Sequence, residues 1–118
     1  MQTLEIKSMN TPEETRSLPK TKGEIVTVGG HIIMRGTFEP GWKWSECVKP
    51  AVGTPSCQVN HVMYIISGKM RIKMDDGTEK DFGPGDAGVI PPGHDAWVVG
   101  SEPCVGIDFA AGATYGKK

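Results

Sequence analysis

Apolar and polar residues alternate along this chain in short runs, and glycine or proline punctuates nearly every junction between them. The clearest run is Lys69 to Met74, where basic and apolar side chains exchange at every position, the period of a strand with one wet face. Glu24 to Val28 and His31 to Phe38 flank a Gly29-Gly30 turn and predict a hairpin. Trp42 to Val48 alternates aromatic and polar residues and reads as extended, with Glu39-Pro40-Gly41 turning the chain before it. Lys49 to Ser56, holding Pro50, Gly53 and Pro55, predicts a loop. Cys57 to Ile66 predicts the strongest strand, whose inward face by period two is Cys57, Val59, His61, Met63 and Ile65. Asp75-Asp76-Gly77 turns the chain into a return strand over Thr78 to Phe82. Ala87 to Ile90 is a small apolar run between Gly83-Pro84-Gly85-Asp86 and Pro91-Pro92-Gly93, so it predicts a short core strand. Two successive prolines cannot continue a ladder, and the next strands are Ala96 to Val99 and Cys104 to Phe109.

Before Glu24 the pattern is lost. Residues 1–22 are polar, and Thr11-Pro12-Glu13-Glu14 starts at most one helical turn. They predict an arm that packs on the surface or on a second subunit. Residues 23–110 form the domain proper, and the Gly- and Lys-rich residues 111–118 predict a frayed tail. Short strands separated by turns over one domain-sized length predict an all-β sandwich or barrel.

Composition narrows the function. Of 118 residues 13 are basic and 14 acidic, so a net charge of -1 argues against nucleic acid or an anionic membrane as partner. No apolar stretch approaches the roughly 20 residues that cross a bilayer, and the polar start lacks a signal-peptide core. The expected location is cytoplasmic. Cys47, Cys57 and Cys104 cannot all pair with one another, which agrees with a reducing compartment. A Gly-x-Ser-x-Gly nucleophile elbow, a phosphate-binding glycine loop and a Cys-x-x-Cys pair are all missing.

The second half carries a specific motif. Gly85, Pro91 and Gly93, led in by Gly83-Pro84, resemble the second conserved motif of the cupins, a family of small double-stranded β-helix (jelly-roll) barrels. Tyr64-Ile65-Ile66-Ser67-Gly68 resembles the end of the family's first motif, and Phe38-x-Pro40-Gly41 its beginning. The resemblance covers about Ile25 to Phe109 and implies a jelly-roll barrel with one metal inside. The ligand positions depart from the family's usual His-x-His, Glu and His. Counting back from Gly68 puts His61 in the place of Glu, Cys57 in that of the second His and Pro55 in that of the first. Counting forward from Gly41 puts Cys47 at the first His. In the second motif the ligand position falls on Ala96, and a shortened turn moves it to Asp95 or His94. A variant site is implied.

Each candidate has a plain alternative. His61 among apolar neighbours needs a partner, and a metal, a ligand or a backbone carbonyl would each serve. His94 follows a turn that it could simply cap. Asp95 suits a metal ligand, a carboxylate orienting an imidazole, or a turn cap. Cys57 shares the face of His61, so that one ion could reach both, as thiolate and imidazole do with zinc. It could equally pack as a small apolar residue. Glu46 would add a hard oxygen donor that favours iron or manganese, or else pair at the surface. Trp44, Tyr64 and Trp97 are the aromatic candidates for holding substrate at the barrel mouth. His31 and Cys104 read as structural.

The expected protein is therefore a small cupin holding a divalent metal (zinc, iron, manganese or nickel) through His61, His94, Cys57, Glu46 or Asp95. It would also bind a small polar or sugar-like ligand. As an enzyme it would be of isomerase or oxygenase type, and the alternative is a metal-free sensor or binding barrel. The family implies a homodimer.

Overall fold

A computed structural model describes residues 3–117. The arm and tail boundaries drawn from the sequence reach residues 1, 2 and 118, which lie outside the described residues.

Nine strands and two short helices follow in the order β1 (Glu14–Leu18), β2 (Thr21–Val28), β3 (His31–Phe38), α1 (Trp44–Cys47), α2 (Lys49–Val52), β4 (His61–Ser67), β5 (Met70–Met74), β6 (Glu79–Phe82), β7 (Ala87–Ile90), β8 (His94–Val98) and β9 (Cys104–Asp108). They make a six-stranded sheet in the order β1-β2-β3-β9-β4-β7 and a three-stranded sheet in the order β6-β5-β8. Every pairing is antiparallel. The all-β class expected from the turn spacing, and the jelly-roll barrel that the cupin resemblance implied, are the architecture found.

The inward faces follow period two. His61, Met63 and Ile65 of β4 are buried while Val62, Tyr64 and Ile66 are exposed. On β8 the buried set is His94, Ala96 and Val98, and on β9 it is Cys104, Gly106 and Asp108. Phe38, Trp42, Trp44, Met63, Met70 and Ile72 belong to the single core between the sheets.

Four expectations are corrected. Trp42 to Val48 is not a strand. Trp44–Cys47 and Lys49–Val52 are single helical turns that bury Trp44, Cys47 and Val48 together, so the apparent alternation was three core contacts on a compact turn. The strand predicted from Cys57 begins at His61, and Cys57 stands before it in an isolated bridge to His94. The arm contains a strand, β1, paired with β2 along Glu14–Leu18. Ahead of β1 the arm lies on its own hairpin, where the Gly29 N–H donates to Glu5 and Arg35 donates to Asn10 and the Met9 carbonyl. The tail is folded in, with Ala111 and Tyr115 both buried.

Candidate metal centre

Two chain segments that are far apart in sequence meet inside the barrel. Cys57 precedes β4, His61 opens β4 and His94 opens β8. The Cys57 N–H donates to the His94 carbonyl at 2.7 Å, and the Gly93 N–H donates to the Cys57 carbonyl at 2.7 Å. Gly93 adopts φ +93°, a left-handed conformation natural to glycine, and the chain there turns directly into the bridge. The motif's turn therefore sets His94 beside Cys57. One ligand atom from each of Cys57, His61 and His94 lies within 4.8 Å of the other two, and all three residues are buried. The Cys57 sulfur is 3.8 Å from His61 Nε2, and the two imidazole centroids are 5.1 Å apart.

Outer partners orient both imidazoles. His61 Nδ1 lies 2.6 Å from Asp108 Oδ2, and His94 Nδ1 lies 2.7 Å from the Pro91 carbonyl. Carboxylate and carbonyl oxygens only accept, so each Nδ1 carries the proton and each Nε2 is left for the interior. A metal-binding histidine needs this tautomer and this kind of support. Asp108 is itself fully buried, and its Oδ1 accepts the N–H groups of Ala110 and Ala111 at 3.0 Å each.

The protonation pattern follows. Burial alone would push the Cys57 thiol up, but hydrogen bonds from His61 and His94 overcome it and bring the thiol down to about 6. Burial alone would push His61 down, but hydrogen bonds to Asp108 and Cys57 raise it to about 9. Near neutral pH the metal-free pair is thus thiolate and imidazolium. Cys104, lacking such partners, is pushed up to about 11 by burial.

The other expected site residues stand elsewhere. Glu46 is exposed on α1. Asp95 points away from the interior, where its Oδ1 accepts the N–H groups of Ser45 at 3.1 Å and Ala96 at 2.8 Å. It fastens α1 to β8. Tyr64 is on the outer face of β4, 46% exposed, and the Trp97 ring lies beneath the Lys43 ammonium at 5.3 Å. Only Trp44 of the three aromatic candidates lines the interior. Pro55 and Cys47 are not in the cluster.

Asp108 and Tyr115 were missed. A carboxylate on the inward period of a strand otherwise built from cysteine, glycine and aliphatic residues was the available signal for Asp108. For Tyr115 it was a lone aromatic in a Gly- and Lys-rich end. Tyr115 packs against His61 with centroids 5.8 Å apart.

The space at the centre is small. A cavity of about 20 Å³ is walled by Phe38, Trp42, Trp44, His61, His94 and Tyr115, with Cys57 alongside. That is room for one or two waters, far less than a sugar ring. A larger cavity, about 460 Å³, is the open groove between β6 and β7; it is lined by none of Cys57, His61 and His94. A third, of about 100 Å³, lies under the end of the chain and shares Trp44, Cys57 and Tyr115 with the central one.

Residues 40–105 match the family described as the EutQ-like cupin domain, more than half the chain. The chain is a cupin. No curated protein matches it by sequence. Among solved structures this cupin is similar to a protein of unknown function from Acinetobacter sp. ADP1, at 17% identity, TM-score 0.60, over 83% of this chain and 90% of that one. It is also similar to Lactobacillus farciminis oxalate decarboxylase in a formate complex, at 16% identity and TM-score 0.60, over 86% of this chain and 32% of that one. KdgF from Halomonas sp. is similar at 19% identity and TM-score 0.57, over 84% and 86%. These likenesses concern the fold. The donor set of this cupin, one thiolate and two imidazoles around an open interior, suits a divalent metal such as zinc, whose reactive sites keep three protein ligands and one free position.

Proposed function

We propose that this cupin holds one divalent metal through Cys57, His61 and His94, and that a small polar ligand completes the site. The observation that supports it most is the pair of outer hydrogen bonds, from His61 to Asp108 and from His94 to the Pro91 carbonyl, which leave both Nε2 atoms facing the thiolate. A cysteine nucleophile activated by His61 and Asp108 would use the same Cys57–His61 contact. It would draw on the neighbouring cavity of about 100 Å³ that Cys57 also lines for its acyl group, whereas the metal reading uses the central one of about 20 Å³.

Zinc suits the set best. The hard oxygen donor that would favour iron or manganese is lacking, because Glu46 is exposed and Asp95 is engaged by Ser45 and Ala96. When bound, the metal would supply Lewis-acid polarisation of a ligand oxygen. The residues' own part is to hold the imidazole tautomers and to exclude bulk water. The similar structures include both a decarboxylase and a polyketide cyclase, and with identities this low their activities choose none for this chain.

Elemental analysis of protein purified without a metal-affinity tag tests the reading. Stoichiometric zinc that is lost in His61→Ala and in Cys57→Ser supports it. Wild-type protein that stays empty and gains no thermal stability on adding zinc, cobalt or nickel would overturn it.

We further propose a homodimer, formed through the exposed apolar face of β4 and β7. Val62, Tyr64 and Ile66 lie on the first strand and Val89 on the second, with Val89 68% exposed at the sheet edge. Among the described residues no helix is long and apolar enough to cross a membrane. Sedimentation at the mass of a single 12.7 kDa chain would contradict the dimer.

A further inference from the structure

Two buried donors in the central cavity have no partner among the described residues: the indole Nε1 of Trp42 and the hydroxyl of Tyr115. Their residues are 3% and 5% exposed, and both side chains line the cavity that His61 and His94 also line. A buried N–H or O–H left unpaired carries a desolvation cost that native structures seldom leave unanswered. An indole N–H can only donate, so its partner must be an acceptor. A tyrosine hydroxyl can donate as well as accept, so the buried and unpartnered hydroxyl of Tyr115 is available as a donor too.

Apart from the three cluster residues, the cavity wall contains no charged side chain. Besides Trp42 and Tyr115, the rest of it comes from Phe38, Trp44 and aliphatic or methionine side chains. Such a wall offers nothing to the several hydroxyls of a sugar acid. It suits one compact acceptor held at a single point.

We infer that Trp42 and Tyr115 form an anion site beside the metal, which takes a small anion of one to three heavy atoms rather than a sugar acid. The inference rests on the metal reading above and deepens it. Its two hydrogen bonds come from opposite ends of the chain, Trp42 from the loop after β3 and Tyr115 from the segment after β9. The C-terminal segment is therefore part of the site. Phe38 packs against both rings, with its centroid 4.6 Å from that of Trp42 and 6.4 Å from that of Tyr115.

The test uses the full chain loaded with cobalt(II), whose thiolate charge-transfer band reports Cys57 ligation and whose ligand-field bands report any added ligand. If wild-type protein shows no thiolate band, the metal reading fails and the anion site falls with it; this is read before any anion is added. With the band present, azide is titrated into wild type, Tyr115→Phe and Trp42→Phe. Saturable azide binding that weakens roughly tenfold in each variant, with the azide-free spectrum unchanged, supports the site. Tyr115→Phe keeps the ring and its packing, so it decides the matter even if Trp42→Phe loosens the core. Azide binding equally tightly to both variants, no azide binding to wild type, or glucuronate binding as tightly as azide would each overturn it.

Discussion

His61 Nδ1 meets Asp108 Oδ2 at 2.6 Å in the interior of the barrel, and Asp108 is in turn held by the backbone N–H groups that follow β9. The carboxylate thus ties the orientation of an imidazole on β4 to the far end of the chain. Asp108→Asn keeps an oxygen for Ala110 and Ala111 but loses the charge facing His61. It should weaken metal binding about 10- to 100-fold, the usual effect of removing such an outer partner. Metal competition with a chromophoric chelator measures this. Unchanged affinity in Asp108→Asn would show that His61 does not depend on it.

Proton release should accompany metal binding, in a number that depends on pH. His61 at about 9 still carries its Nε2 proton across the neutral range, while Cys57 at about 6 has already lost its own. Between those values His61 should release roughly one proton per metal bound, and below about 6 Cys57 should release another. Calorimetry in buffers of different ionisation enthalpy counts them. Finding no proton release near neutral pH would mean that His61 is neutral without metal.

Stability of the metal-free protein carries a further signature. His61, raised from 6.5, contributes stability that is complete below about 6.5 and is lost as pH rises through about 9. Cys57, lowered from 9.0, contributes stability that is complete above about 9 and is lost as pH falls through about 6. Between about 6.5 and 9 the two slopes oppose and cancel, because folding moves a proton from sulfur to imidazole without net uptake. Denaturation of wild type should therefore show little pH dependence from this pair across that window. Cys57→Ser removes one slope, so its stability should decline with rising pH above about 6.5, by at most about 1.4 kcal/mol per pH unit. A Cys57→Ser profile that parallels wild type would contradict the thiolate–imidazolium pair.

Gly68 closes β4 at φ +73°, and a Cβ there would collide with the carbonyl oxygen of Pro103. Neither the positive dihedral nor a clash with backbone can be relieved by a rotamer change. Gly68→Ala should cost about 3 kcal/mol or more, lowering the denaturation midpoint steeply while leaving the metal ligands untouched. A loss under about 1 kcal/mol would mean that the β4–β5 turn readily shifts.

Much of the fold was legible because turns and alternation are local. Lys69 to Met74 reveals its buried face without reference to any neighbour, and Gly85, Pro91 and Gly93 mark the turns that bracket β7 and precede β8. The strand expected at Trp42 to Val48 failed for the opposite reason. Aromatics two residues apart also suit a compact helical turn against a core, and only the core at Phe38 and Val98 distinguishes the two.

Of the site, the sequence by itself determined that His61 faces inward, whereas four residues of strand would hold Cys57 roughly 13 Å from it, and only the break in extended chain before β4 brings the sulfur to 3.8 Å. The sequence also determined that a turn delivers either His94 or Asp95 to the interior. Tertiary structure alone decided between those two, through the bridge that pairs Cys57 with His94 and turns Asp95 toward α1. It alone brought in Asp108 and Tyr115, 47 and 54 positions beyond His61 (108 − 61 and 115 − 61). The physical reason is that strand period fixes which way a side chain points, whereas what it meets there depends on how distant strands are ordered across the sheets.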